Sequence, residues 1–260
     1  MCFELDILKK LKKSMSEACD DAFYFSADEK KLIDAEYLLT VNAAKAIKEL
    51  NHSFGIPYKI CLENVTKEFA SACTPRMRRE KADNILGYNP GILTSNDIKR
   101  PGKIDIAVYT NTNGIDIPLC AIEVKGFNPS KQLIIKDLER NSEYFGLASR
   151  TGTSTLPFAV FIGLHSYKGV WDDKKEKSNI LKVKNRYEKY ISGNNNLNSL
   201  HQKVDVFTIR RGVLPDLNGP YIQEHGLQGD EDYHFVGVVI TTKKNLTIQS
   251  TPTQKSYAEV

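Results

Sequence analysis

Apolar residues recur at three- and four-residue steps in several segments of the chain, a spacing that places them on one side of a helix. The pattern predicts helices at 5–22, 28–50, 130–147 and 174–191, and a shorter helix at 64–72. The stripe of the second helix is the clearest and comprises Leu32, Ala35, Leu39, Ala43, Ala46 and Leu50. The apolar side of the helix at 130–147 comprises Leu133, Ile134, Leu138 and Phe145.

Short runs rich in β-branched residues predict strands between these helices. They lie at 56–62, 103–109, 118–125, 157–164, 204–209 and 234–241. Turn-forming residues at 111–114 join the second and third runs into a hairpin. The run at 157–164 is nearly all apolar, as expected for a strand that is buried on both faces.

The order of these elements predicts the fold class α/β, with a mixed central β-sheet flanked by helices. The sheet should be antiparallel at the hairpin and parallel where the helix at 130–147 crosses over to the strand at 157–164. We expect an N-terminal helical extension at 1–27, one domain at 28–244 and a polar tail at 245–260.

Composition excludes several classes of protein. Hydrophobic residues make up 41% of the chain and charged residues 26%, as in ordinary globular domains. No apolar run approaches the roughly 18 residues of a membrane span, and the N-terminus lacks the charged-then-apolar order of a signal peptide. The five cysteines include no CxxC pair, which favours free thiols. The sequence therefore predicts a soluble cytoplasmic protein with no membrane partner.

A net charge of only +4 conceals two basic segments. Residues 76–103 carry seven basic side chains against three acidic ones, and residues 174–189 carry seven against two. Clustered positive charge is the footprint of a polyanionic partner. An ordinary solvated surface carries such runs as well, so both interpretations stay open.

The hairpin contains three ionisable residues, Asp105, Glu123 and Lys125, where strands would ordinarily hold apolar side chains. Alternation with Ile104 and Ile106 turns Asp105 to one face, and Glu123 and Lys125 should share that face. Burying such charges costs several kcal/mol unless they are paired or bind a metal. Carboxylates are hard oxygen ligands that suit Mg²⁺ or Mn²⁺, and Lys125 could orient or deprotonate an attacking water.

The hairpin segment GKIDIAVYTNTNGIDIPLCAIEVKGF resembles the core of the PD-(D/E)XK nuclease superfamily, which includes restriction endonucleases and bacterial anti-phage nucleases. The resemblance covers Asp28 to about Leu164, with helix, strand, hairpin, helix and strand in the family's order. It implies a restriction-endonuclease-like core with Asp105 and Glu123 as its two acids and Lys125 as its motif lysine. It also implies Glu36, on the first core helix, as a further catalytic residue and metal ligand.

The resemblance implies a Mg²⁺-dependent nuclease, with Mn²⁺ as a substitute, in bacterial restriction or anti-phage defence. DNA is the expected substrate, RNA is left open, and a motor or sensor subunit is a further partner that the family allows. Phosphate contacts are expected from six basic residues that precede the first acid. They are Arg76, Arg78, Arg79, Lys99, Arg100 and Lys103.

Other interpretations of the same residues remain open. Glu63 is an alternative to Glu36 as the further ligand, and Gln132 and Lys136 are candidates for polar residues that face the site. Glu123 and Lys125 could instead form a surface pair on a half-exposed hairpin. The chain could also be a catalytically silent nuclease-fold module that binds nucleic acid or a protein, or an unrelated α/β interaction protein. The histidines show no paired spacing, which disfavours zinc.

Overall fold

The computed structural model describes residues 3–25, 35–51, 58–75, 102–112, 114–149, 152–168, 172–213 and 232–245. Within these ranges the chain forms a six-stranded sheet flanked by helices, together with a separate two-stranded ribbon. The helices are α1 (Phe3–Phe25), α2 (Ala35–Lys48), α3 (Thr66–Cys73), α4 (Lys131–Glu143), α5 (Asp173–Ser192) and α6 (Asn195–Asn198). The strands are β1 (Tyr58–Val65), β2 (Lys103–Thr112), β3 (Ile115–Phe127), β4 (Ala148–Ser149), β5 (Gly152–Thr153), β6 (Phe158–Lys168), β7 (Leu200–Val213) and β8 (Asp232–Lys244).

The large sheet has the strand order β1-β2-β3-β6-β8-β7. β3 and β6 are parallel, with α4 in the crossover between them, and every other neighbouring pair in this sheet is antiparallel. The predicted α/β class and the mixed sheet are therefore confirmed. The crossover places the C-terminal end of β3 beside the middle of β6, where Phe127 pairs with Leu164.

Strand alternation divides the core into two sides of the sheet. On one side Ile106, Ile122 and Val160 pack with α1 and α2. On the other side Ala107 and Ala121 pack with α3, while further along the sheet α4, α5 and α6 cover β6 and β8. The sheet is thus a middle layer between helices, and β6 is buried on both faces from Phe158 to His165, as predicted.

The predicted stripe of α2 is confirmed at its described positions, since Ala35, Leu39 and Ala43 are buried, whereas Leu32 lies outside the described residues. The prediction for the helix at 130–147 is wrong in two respects. α4 ends at Glu143, and Leu133 is 46% exposed. The buried side of α4 is instead centred on Ile134 and Leu138. The polar residues Asp137 and Asn141 are buried on the same side.

The N-terminal helix α1 contributes Ile7, Leu11 and Met15 to the same core cluster as α2 and β3. No helix among the described residues is long and apolar enough to cross a membrane. The four cysteines within those residues have free thiols, in agreement with the sequence. The greater part of the predicted polar tail, residues 246–260, lies outside the described ranges.

Candidate active site

Asp105 and Glu123 meet where the ladder between β2 and β3 ends. The register of this antiparallel pair runs from Thr112–Ile115 to Ile106–Ile122, so Asp105 and Glu123 occupy the next position along it. Here the side chain of Asp105 replaces the backbone ladder, because its Oδ2 accepts a hydrogen bond from the Val124 N–H at 2.6 Å. The two predicted acids therefore lie side by side on neighbouring strands.

Side-chain alternation along β2 is interrupted at Asp105, which corrects one detail of the sequence interpretation. Ile106 belongs to the core cluster with α1 and α2, whereas Ile104 packs with Phe69 in the cluster on the other side of the sheet. Ile104 and Ile106 therefore do not share a face. Asp105 lies between them and turns its carboxylate toward β3, where it accepts the hydrogen bond from the Val124 N–H.

Glu123 is completely buried and is held by Arg140 of α4. The Arg140 Nη1 donates to both Glu123 oxygens, at 3.0 and 2.9 Å, and to the carbonyl oxygen of Lys103 at 3.1 Å. A charged side chain at such depth requires an opposite charge nearby. Arg140 supplies that charge and ties α4 to β2 and β3 at the position of the two acids.

Lys125 connects α2 and α4 across the end of the sheet. Its Nζ lies 3.0 Å from Glu36 Oε1 and 3.2 Å from Asp137 Oδ2, and it also donates to the carbonyl oxygen of Val124 at 2.7 Å. Glu36 comes from the first turn of α2 and Asp137 from the buried side of α4. The predicted Glu36 thus joins Lys125 through a direct ion pair.

Gly126 allows the start of α2 to approach β3 closely. A Cβ built at Gly126 would lie 3.0 Å from the backbone nitrogen of Glu36, which is tighter than nearly all real contacts of this kind. The register between β3 and β6 also shifts between Lys125 and Phe127. The absence of a side chain at Gly126 therefore allows α2 to lie close enough for Glu36 to contact Lys125.

Burial dominates the ionisation of the two strand acids. It raises the pKa of Asp105 to about 6, against the opposing effects of the Val124 hydrogen bond and Lys125. Burial also raises the pKa of Glu123 well above its ordinary value, and the neighbouring Asp105 raises it further despite Arg140. Two neighbouring carboxylates with raised pKa values are expected at a site that binds a cation, because the cation would stabilise their ionised forms.

Lys125 has the opposite balance. Burial acts to lower its pKa, but Asp137, Glu36 and Asp105 together raise the pKa above the ordinary value for a lysine. The amine is therefore held as an ammonium ion. Of the two roles that the sequence left open for Lys125, orienting a water molecule fits this environment, whereas deprotonating it does not.

Asp137 and Arg140 were not identified from the sequence. Asp137 lies three residues after Ile134, on the buried side of α4, and Asn141 follows on the same side and donates to the Val160 carbonyl oxygen at 3.0 Å. Polar residues on an otherwise apolar helix side were the available signal. The sequence candidates Gln132 and Lys136 are exposed on α4, and a role for them at the site stays a prediction.

Only one of the six predicted phosphate-binding residues lies among the described residues. Lys103 begins β2, its side chain is 59% exposed, and its Nζ lies 3.5 Å from the Glu63 carboxylate. Glu63, the alternative ligand, is 61% exposed and pairs with Lys103; no described contact joins it to Lys125. The other five predicted phosphate-binding residues lie outside the described residues. They are Arg76, Arg78, Arg79, Lys99 and Arg100.

The second basic segment forms α5, with Val183 and Tyr187 buried and its lysines exposed. Lys184 lies 3.8 Å from Glu188 on the same helix. Exposed pairs of this kind contribute little to stability. The segment is a charged outer surface of the domain and shares no described contact with the acidic site.

The donor set at the site suits a hard divalent cation. Within the described ranges, Glu36, Asp105, Glu123 and Asp137 supply four carboxylates and Lys125 and Arg140 two cations, so these six groups would carry a net charge of −2 if all were ionised. Carboxylate oxygens are the ligands that Mg²⁺ prefers. Among the described residues, however, no three acids, histidines or cysteines already stand together as a metal-binding group. Lys125 pairs with Glu36 and Asp137, and Arg140 pairs with Glu123.

Comparisons with known proteins gave no relative: no family model, no curated protein and no solved structure matches this chain.

Proposed function

We propose that the chain is a metal-dependent nuclease with a restriction-endonuclease-like core of the PD-(D/E)XK type. The observation that carries the proposal is the meeting of Asp105 and Glu123 at the end of the β2–β3 ladder, with Lys125 two residues further along β3. Glu36, predicted from the same resemblance on an element distant in sequence, reaches Lys125 at 3.0 Å. An unrelated interaction protein has no need to assemble these four residues.

Each residue has a distinct role in this proposal. Asp105 and Glu123 would hold a Mg²⁺ or Mn²⁺ ion, with Glu36 as a further ligand. Such an ion, when bound, offsets charge on the phosphate and lowers the pKa of its water. Lys125, held as an ammonium ion by Asp137 and Glu36, orients the attacking water and stabilises the charge that develops on the phosphate oxygens.

The surplus of carboxylates supports the cation. With all four acids ionised, the cluster would carry two excess negative charges and would repel a nucleic acid, since the phosphates are themselves negative. Asp105 and Glu123 would hold a divalent ion that offsets this excess, and Lys125 would then be the cation nearest to an approaching phosphate. A module that only binds nucleic acid would gain nothing from such acids.

DNA is the proposed substrate, and the proposed setting is bacterial restriction or anti-phage defence, which rests on the family resemblance alone. The cytoplasm is the proposed location, a prediction from the sequence, whose N-terminus lacks a signal-peptide pattern. Lys103 supports a nucleic-acid partner, because its exposed ammonium lies at the start of β2, within two residues of Asp105. Phosphate contacts of this kind position a strand without reading its sequence.

The test is a cleavage assay on supercoiled DNA, linear DNA, single-stranded DNA and RNA, each with Mg²⁺, with Mn²⁺ and with EDTA. We expect cleavage of at least one DNA substrate in either metal and none in EDTA. Cleavage of RNA alone would change the substrate but keep the chemistry. No cleavage of any substrate in either metal would reject the nuclease.

One observation favours a second candidate, a nuclease-fold module that binds nucleic acid or a protein without cutting. Arg140 donates to both oxygens of Glu123, and a permanent pair of this kind would exclude a metal from that carboxylate. In that case Mn²⁺ should not bind, whereas nucleic acid should bind equally well with EDTA. Binding of Mn²⁺ that is lost in Asp105→Asn distinguishes the nuclease from this module.

A further inference from the structure

Arg140 uses its hydrogen-bond donors unevenly. Its Nη1 serves three acceptors, the two Glu123 oxygens and the Lys103 carbonyl oxygen. Its Nη2 lies 3.9 Å from Asp137 Oδ1, and its Nε is buried with no hydrogen-bond partner among the described residues. A guanidinium in its preferred setting presents two nitrogens to one anion, so Arg140 does not have its full set of partners here.

The partner that matches the unused donors is a phosphate. A guanidinium forms a planar fork that binds carboxylate or phosphate through two parallel N–H bonds. Of the two nearby carboxylates, Glu123 accepts from Nη1. Asp137 is ion-paired with Lys125 at 3.2 Å, although its Oδ2 accepts no hydrogen bond within the described part of the chain, and it lies too far from Nη2, at 3.9 Å, for a hydrogen bond. Only 11% of the Arg140 side chain is exposed, but its bond to the Lys103 carbonyl places it at the start of β2 beside an exposed lysine.

Arg140 and a metal ion would compete for Glu123. The carboxylate is completely buried, and a buried carboxylate needs one compensating cation rather than two. A divalent ion on Asp105 and Glu123 would therefore weaken the attraction between Glu123 and Arg140. The guanidinium would then be a buried cation whose remaining carboxylate, Asp137, lies 3.9 Å away and is shared with Lys125.

We propose that Arg140 exchanges partners during substrate binding: it holds Glu123 in the absence of metal, and it binds a phosphate oxygen of the nucleic acid once a metal ion occupies Asp105 and Glu123. The inference rests on the proposed function and adds to it the residue that couples metal binding to substrate binding. Its consequence is that Arg140 contributes to nucleic-acid affinity only in the presence of a divalent ion.

The first experiment measures Mn²⁺ binding to the full chain without nucleic acid, by electron paramagnetic resonance of the free ion. In Arg140→Gln the competitor for Glu123 is removed, so we expect Mn²⁺ to bind about tenfold more tightly than to the wild type. Arg186→Gln, which removes an exposed guanidinium from α5, is the matched control and should leave the dissociation constant unchanged. Unchanged or weaker Mn²⁺ binding by Arg140→Gln would overturn the exchange.

The second experiment measures affinity for a fluorescein-labelled DNA duplex by anisotropy, once in Ca²⁺ and once in EDTA. Ca²⁺ binds to oxygen ligands like Mg²⁺ but is larger and less strict in geometry, so it serves as a slow substitute. In Ca²⁺ we expect Arg140→Gln to weaken binding by about tenfold, the effect of one charge-assisted contact. In EDTA it should match the wild type.

The outcomes separate the exchange from simpler roles and from the proposed function. An equal loss of affinity in Ca²⁺ and EDTA means a permanent phosphate contact, and no loss in either means a structural ion pair; each result rejects the exchange.

If Arg140→Gln does not fold, Arg140→Lys keeps the charge but lacks the fork, and it should show the same Ca²⁺-specific loss to a smaller extent. A wild type that binds no Mn²⁺ and cuts no substrate rejects the proposed function itself, whereas a wild type that does both while Arg140 shows no Ca²⁺-specific effect rejects the exchange alone.

Discussion

Lys125 is the residue on which the separate parts of the site converge. Its ammonium group reaches α2 through Glu36 and α4 through Asp137, while its backbone belongs to β3. Only 11% of the side chain is exposed. A lysine held in this way has little rotational freedom left, so the ion pairs orient the amine before any substrate arrives.

Replacing Lys125 by Met removes the charge and keeps the length of the side chain. We expect the cleavage rate to fall by about 10² to 10³, the range for loss of one group that stabilises the transition state. Stability should also fall, because Asp137 loses its cation in a buried position. Lys13→Met, which breaks an exposed pair with Glu17 on α1, is the control. Cleavage by Lys125→Met at the wild-type rate would exclude a role for the amine in the chemistry.

His165 gives the domain a pH dependence that is separate from the acidic site. The residue is buried on β6, its ring nitrogens lie 3.0 Å from the Tyr187 hydroxyl and 3.3 Å from Asn128 Oδ1, and burial followed by Arg186 lowers its pKa to about 4. The unfolded chain therefore binds a proton near pH 6.5, whereas the folded protein does so only near pH 4. The stability that the neutral ring contributes is complete above pH 6.5 and declines as the pH falls between these values.

The expected loss from His165 between neutral pH and about pH 4 is about 3 kcal/mol. Urea unfolding across this range should therefore show a steeper decline for the wild type than for His165→Gln. His201→Gln, at an exposed position, should follow the wild type. Equal slopes for the wild type and His165→Gln would show that this histidine titrates alike in the folded and unfolded chain.

At the scale of elements, the close approach of α2 to β3 is the feature that brings Glu36 to the site. Gly126 permits it, because a side chain there would meet the Glu36 backbone. The helix start cannot retreat freely, since Ala35 and Leu39 are buried against the sheet. The distance between Glu36 and Lys125 therefore depends on a residue that has no chemistry of its own.

Gly126→Ala should shift the start of α2 by a few tenths of an ångström and lower the free energy of unfolding by about 1 to 3 kcal/mol, as other overpacked sites do. Cleavage should fall with it, because Glu36 moves relative to Lys125. Gly146→Ala is the matched control, since its Cβ would make an ordinary contact of 3.6 Å with the Glu143 carbonyl oxygen. If both alanine variants behave alike, the close approach at Gly126 has no role in the site.

Periodicity was sufficient to predict the longer helices and the strands of the large sheet, but not the short elements β4, β5 and α6 or the inner side of α4. The helix at 130–147, the strand at 157–164 and the parallel crossover between them follow from spacing and length. Leu133 was assigned to the buried side because it is apolar, and Asp137 was passed over because it is charged. The structure reverses both assignments, because the partners that make Asp137 tolerable, Lys125 and Arg140, come from contacts that spacing alone does not reveal.

At the scale of the whole molecule, the site forms where three layers meet. The strand pair Asp105 and Glu123 could be predicted from the hairpin, because antiparallel neighbours are set by the turn. Glu36 could be placed only through the family resemblance, since its approach depends on the packing of α2 at Gly126. Arg140 could not be predicted, because its bond to Glu123 depends on how α4 docks on the sheet after the crossover.

A divalent ion should stabilise the folded chain as a whole, because the unfolded chain has no assembled carboxylates. At a Mn²⁺ concentration 100 times the dissociation constant, the expected gain in the free energy of unfolding is about 2.7 kcal/mol. The gain should disappear in Asp105→Asn and persist in Asp20→Asn, which alters an exposed pair with Arg210. Thermal unfolding with Mn²⁺ and with EDTA measures it, and an equal gain in both variants would place the ion elsewhere on the protein.

The most direct test of the nuclease centre is the cleavage of DNA by the wild type and by Asp105→Asn, measured in Mg²⁺ and in EDTA on the substrate that the wild type prefers. Asn keeps the shape of Asp105 and removes its charge. We expect cleavage by the wild type in Mg²⁺ only, and a rate for Asp105→Asn that is lower by about 10² or more. Cleavage that persists in EDTA, or that Asp105→Asn retains at the wild-type rate, would contradict this expectation.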